Sequence, residues 1–164
     1  VTLFTGGLDE SLSVLAVYVG KSSDEFIAYA KADPHTGWDE GRGAWPMGSL
    51  WTPEGKTLYA LVTAFNAQNI VECGTWRGCS TTHMAQALAD KGSGHITAID
   101  LHESTGELIP DNLRPYVSQQ FMKGEDYLAS LPDNSIDMLY EDTYHGRDCV
   151  RDIWALALKK VKRG

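Results

Sequence analysis

The stretch Asn69–Ser80 constrains this chain more than any other. Ile70-Val71 is a short apolar run suited to a buried strand, and Gly74 and Gly78 bracket a tight turn. Ser80 can cap the helix that Met84, Ala87 and Leu88 continue. A glycine turn between a parallel strand and a helix lets a ligand approach the backbone closely, at the carboxyl end of a sheet. Glu72, two residues before the first glycine, would repel a pyrophosphate and would suit a cationic ligand instead.

Two further acidic positions recur in the same setting. Ile96-Thr97-Ala98-Ile99 reads as a strand that ends at Asp100, and Ile136–Glu141 as a strand followed by Asp142 and His145. Between them, Gln119–Lys123 suits a short third strand, and Gly124-Glu125-Asp126 opens a helix through Tyr127, Leu128 and Leu131. Thr52 and Pro53 suit the start of a helix whose apolar stripe is Leu58, Leu61, Val62 and Phe65. Val150, Ile153, Trp154, Ala157, Leu158 and Val161 give a last amphipathic helix. Helix and strand alternate, so the expected fold is α/β: a Rossmann-like parallel sheet with helices on both faces. Glu72, Asp100 and Asp142 then converge at the strands' carboxyl ends.

Glu72-x-Gly74-x-x-x-Gly78-x-Ser80, Asp100 and the Asp142-x-x-His145 pattern together resemble class I S-adenosylmethionine-dependent methyltransferases, in the form of small-molecule O-methyltransferases. The resemblance runs from about Thr52 to the C-terminus. It implies a cofactor site made of Glu72, Cys73, Gly74, Thr75, Trp76, Gly78, Ser80, Asp100 and Leu101, with an adenine contact near Glu125 or Asp126. Asp100 would accept from the ribose hydroxyls, with capping of the residues after His102 as the plain alternative. Glu125 and Asp126 could equally serve to complement a helix dipole.

The resemblance makes Asp142 and His145 the catalytic candidates. Asp142 would bind a divalent cation such as Mg2+, which lowers the pKa of a substrate hydroxyl. His145 would act as general base, or else merely face solvent. Glu141 stands where the family tends to be apolar. Gly106, Pro110 and Pro115 interrupt the helix that the family places between its second and third strands.

Two regions are expected: residues 1–50 as a helical and lid segment, and 51–164 as the cofactor-binding domain. The domain reads as truncated after the fourth strand and its helix. Leu12, Leu15, Ala16 and Val19 recur at helical spacing, and Ser22 or Ser23 can cap a helix carrying Phe26, Ile27 and Ala30. The glycine-rich segment from His35 to Gly48 carries Trp38 and Trp45, either tucked against the body or closing over the site.

A net charge of -8 argues against general affinity for nucleic acid, and no apolar run is long enough to span a membrane. Cys73, Cys79 and Cys149 lack zinc spacing, which points to a reducing, cytoplasmic setting with the thiols as buried filler, or with Cys79 as a reactive thiol. The functional expectation is O-methylation of a small hydroxylated acceptor, with homo-oligomerisation open. The alternatives are an enzyme that binds and cleaves S-adenosylmethionine, and a non-catalytic cofactor-binding assembly module.

Overall fold

The computed structural model describes residues 8–35, 50–144 and 146–163. Trp38, Trp45 and His145 therefore lie outside the described residues. In chain order the elements are α1 (Leu8–Tyr18), α2 (Ser23–Ala32), α3 (Thr52–Ala64), β1 (Asn69–Cys73), α4 (Cys79–Lys91), β2 (His95–Asp100), β3 (Val117–Phe121), α5 (Gly124–Ser130), β4 (Met138–Glu141) and α6 (Arg147–Lys160).

The sheet is parallel and four-stranded, in the order β3-β2-β1-β4. The chain builds outward from β1 through β2 to β3, then returns to lay β4 on the other side of β1. That reversal opens a crevice at the carboxyl ends of β1 and β4, where such sheets bind ligands.

Strand periodicity divides the core. Ile70, Ile96 and Ala98 face one side and pack with Leu58 and Val62 of α3 and with Met84 and Leu88 of α4. Val71, Cys73 and Ile99 face the other side, with Leu128 of α5 and Ile153 of α6. Removing a fully buried side chain such as Ile70 or Ile96 would cost about 2–5 kcal/mol. α1 and α2 add a third cluster, in which Leu12, Ala16, Phe26 and Ala30 pack on Ala60 of α3. Ser22 caps α2 as expected, accepting from the Glu25 backbone N–H at 3.2 Å.

Several sequence expectations move. α3 is capped at Trp51 rather than Thr52, because the Glu54 carboxylate reaches back to the Trp51 backbone N–H at 2.9 Å. α4 begins at Cys79 after Gly78, so Ser80 is inside the helix and is not its cap. β3 starts at Val117, two residues before the expected Gln119. β4 is shorter than its apolar run: Ile136 leaves the ladder to bridge Val161 instead. On α6, Ile153 and Ala157 are buried while Trp154 and Leu158 are exposed. Each follows a buried residue by about 100°, which turns it past the sheet. Residues 101–116 form turns and a short 3-10 helix, Arg114–Tyr116, and Ile109 and Leu113, which precede that helix, still reach the core.

Candidate functional site

The site begins where β1 ends. Gly74 has φ 95° and donates its N–H to the Ile99 carbonyl at 2.8 Å, holding the turn against β2. Trp76 takes φ 46°, unusual for a non-glycine residue. Its N–H donates to Asp100 Oδ2 at 2.9 Å, and the His102 N–H donates to Asp100 Oδ1 at 3.1 Å. Asp100 thus ties the glycine turn to the end of β2 and also caps the following loop. That loop returns over the turn, with the Gly106 N–H donating to the Trp76 carbonyl at 2.7 Å.

A cavity of about 520 Å3 opens at this point, within the size range of small-ligand sites. Gly74, Trp76, Asp100, Leu101, Glu125 and Asp142, all singled out in the sequence, line it. Other expected residues do not. The Cys73 side chain packs in the core on the α5–α6 side, and Asp126 is exposed on α5. Gly78 lies against Ile109, and Thr75 is buried, its hydroxyl without a hydrogen-bond partner among the described residues. Glu72 and Ser80 are buried and bond to each other, because Ser80, the second residue of α4, lies over the strand.

Sequence reasoning missed His102, Met122, Lys123, Tyr144 and Cys149, which also line the cavity. Apart from Cys149, in the first turn of α6, they follow β2, β3 or β4 in irregular segments, where residue type carries no periodic signal. Their one common mark is position directly after a strand.

The electrostatics centre on Glu72, which is fully buried with Ser80 Oγ and Thr81 Oγ1 both donating to it. Burial raises its pKa most; the two hydroxyls lower it, and the Asp142 and Asp100 charges raise it again, to about 7. Burial, then the Asp142 charge, also pushes the Tyr140 phenol up. The Tyr140 hydroxyl donates to Asp142 Oδ2 at a long 3.5 Å. Carboxylates therefore gather around an apolar crevice, and a cation entering it would relieve them.

Glu141, anomalous in the sequence, has a local role. Its Oε1 accepts from the Thr143 N–H at 3.0 Å and from Thr143 Oγ1 at 2.5 Å, setting the turn after β4. Among the described residues no group of three or more His, Cys, Asp and Glu side chains converges to hold a metal ion. The donor set around Asp142 among these residues thus does not by itself fit a cation.

A family model described as a methyltransferase domain matches residues 71–164. A comparison with curated proteins found no match. Among solved structures, the O-methyltransferase TomG from Streptomyces achromogenes, involved in tomaymycin synthesis and in complex with SAM, is similar. It is 24% identical, with a TM-score of 0.63 over 95% of this chain and 70% of that one. The O-methyltransferase from Bacillus cereus in complex with SAH is 22% identical, with a TM-score of 0.57 over 95% of this chain and 71% of that one. SAH-bound PaMTH1 from Podospora anserina is 16% identical, with a TM-score of 0.56 over 84% of this chain and 63% of that one. At these identities the structural likeness speaks for the fold.

Proposed function

The chain belongs to the methyltransferase-domain family, and from that premise we propose that it is an S-adenosylmethionine-dependent O-methyltransferase acting on a small hydroxylated molecule. The observation that carries the reading is the cavity at the sheet's reversal, with Gly74 at its floor and Asp100, Glu125 and Asp142 around it. TomG and the Bacillus cereus enzyme, described with SAM and SAH, lend it support.

S-adenosylmethionine would supply a methyl group activated on sulfonium sulfur, open to in-line displacement by an acceptor oxygen. The residues of this chain do the positioning, which supplies much of the rate in such a transfer. Each Asp100 oxygen takes one backbone N–H and keeps lone-pair capacity for a ribose hydroxyl. Leu101 and Met122 offer apolar walls to the adenine, and Glu125 an acceptor for its exocyclic amine. Glu72, Asp100 and Asp142 together favour a ligand bearing ammonium and sulfonium charge over an anionic one.

Asp142 and His145 carry the proposed chemistry at the acceptor. Asp142 lines the cavity directly after β4 and would take the acceptor's proton. The experiment is titration calorimetry with S-adenosylmethionine, followed by transfer of a labelled methyl group to a panel of phenols and sugars, with and without chelator. Binding with methyl transfer is expected. Cofactor breakdown without an acceptor, or no binding, would overturn the reading. Full activity in chelator would assign the proton to protein side chains alone.

A further inference from the structure

Trp76 and Tyr144 both line the cavity, and both are large rings left open to solvent, 49% and 84% exposed. Single exposed apolar side chains are ordinary on a protein surface, but two aromatic rings on one concave site mark a place where something binds. The buried pair between α4 and the end of α2 shows the opposite case. There His83 Nδ1 hydrogen-bonds Asp33 Oδ2, and the fold itself supplies the partner.

Both rings are held in place. The turns after β1 and β4 touch at Gly74 and Asp142, where a Cβ on the glycine would lie 2.3 Å from the Asp142 carbonyl oxygen. Trp76 stands two residues beyond one side of that contact and Tyr144 two beyond the other. The Trp76 backbone is kept at φ 46° by the bond from its N–H to Asp100. Such strain persists where the surroundings hold it, and it collects at ligand sites. The Tyr144 carbonyl accepts from the Gly146 N–H at 2.7 Å. The Tyr144 ring then rests on Gly146, where a Cβ would come within 2.6 Å of Cε1.

The neighbouring polar groups narrow the ligand. Thr143 Oγ1 donates to Glu141 and meets Cys149 Sγ at 3.4 Å, and the Tyr140 hydroxyl is turned to Asp142. The Asp142 carboxylate is then the acceptor for a ligand hydroxyl at this end. A sugar, with hydroxyls all round its ring, would leave most of them unpaired between two aromatic faces. A phenol has one hydroxyl to place and a flat face for each ring. We propose, resting on the methyl-transfer reading, that Trp76 and Tyr144 clamp the acceptor and select a flat aromatic phenol, its hydroxyl turned to Asp142. Leu101, Met122 and Glu125, offered above to the adenine, follow β2 and β3, whereas the two rings follow β1 and β4. The rings therefore meet the acceptor and not the base.

The test combines titration calorimetry with S-adenosylmethionine and labelled methyl transfer to a panel of phenols and sugars, on the parent chain and its variants. The parent is expected to methylate phenols with a kcat/KM at least about tenfold above that for any sugar. Trp76→Ala and Tyr144→Ala should each raise the KM for a phenol about three- to tenfold, the worth of one aromatic stack. The loss should lie in KM rather than kcat, without weaker cofactor binding. Tyr144→Phe, which keeps the ring, should restore the parent KM. Should Trp76→Ala fail to fold, Tyr144→Ala decides, since that ring is mostly exposed. Sugars methylated as well as phenols, an unchanged KM in folded Tyr144→Ala, or a cofactor affinity that falls with the phenol's overturns the clamp while methyl transfer stands. A parent that neither binds S-adenosylmethionine nor transfers its methyl group overturns both readings.

Discussion

The backbone carbonyl of Asp142 occupies the space into which a side chain at Gly74 would grow. The glycine is therefore required by the closeness of the turn to the residue after β4, and its φ of 95° adds to the demand. The sequence suggested another reason, the close approach of a ligand to the backbone of the turn. Geometry makes the position structural first.

Gly74→Ala should accordingly lose about 1–3 kcal/mol of stability from backbone strain alone, and more from the clash. Urea denaturation checks it. A variant as stable as the parent but unable to bind would restore the simpler explanation.

Glu72 should make the free protein less stable as pH rises. Its folded pKa of about 7 lies above a glutamate's ordinary 4.5, so the folded state holds the proton more tightly across that interval. Its contribution is whole below pH 4.5 and is lost as pH rises through about 7, on the order of 3 kcal/mol in all. Glu72→Gln should flatten that part of the stability profile. Binding of S-adenosylmethionine near neutral pH should also release a proton, seen as a calorimetric enthalpy that changes with the buffer. An unchanged pH profile in the variant would show that Glu72 titrates normally.

Asp33 and His83 act at higher pH. The His83 pKa, raised from 6.5 to about 9, means that the pair's stabilisation is full below pH 6.5 and fades as pH climbs through about 9. Breaking the pair with His83→Ala should cost roughly 3–5 kcal/mol, because Asp33 is left buried without its partner. Thermal melts of parent and variant on either side of that window measure both effects, and parallel curves would remove the pair from the stability account.

Asp100→Ala should weaken S-adenosylmethionine binding by about 1.5–3 kcal/mol, the range for hydrogen bonds to a charged group. It should also loosen the glycine turn, since the Trp76 and His102 N–H groups lose their acceptor. Asp100→Asn keeps an oxygen for one of them and should fall between. Calorimetry on all three proteins tests the order, and equal affinities would take Asp100 out of the site.

Much of the fold was legible because periodicity is local. Ile70 and Ile96 announced their strands, Leu58 and Val62 their helix, and the order of elements implied a parallel sheet. The convergence of Glu72, Asp100 and Asp142 at one end followed from topology alone. Boundaries were less legible, since Trp51 caps α3 through a glutamate three residues on, and no single-residue preference reports that.

The sequence by itself determined that β1 turns on glycines into α4 and that acids end the neighbouring strands, since both depend on residues adjacent along the chain. Only the tertiary structure decided what those residues do. Glu72 is turned to Ser80 and Thr81 and lies outside the cavity lining, Gly74 yields its space to the Asp142 carbonyl, and Asp33 reaches a histidine 50 positions away. The reason is physical: a buried polar group must find its partner in space, and chain distance carries no record of which groups folding will bring together.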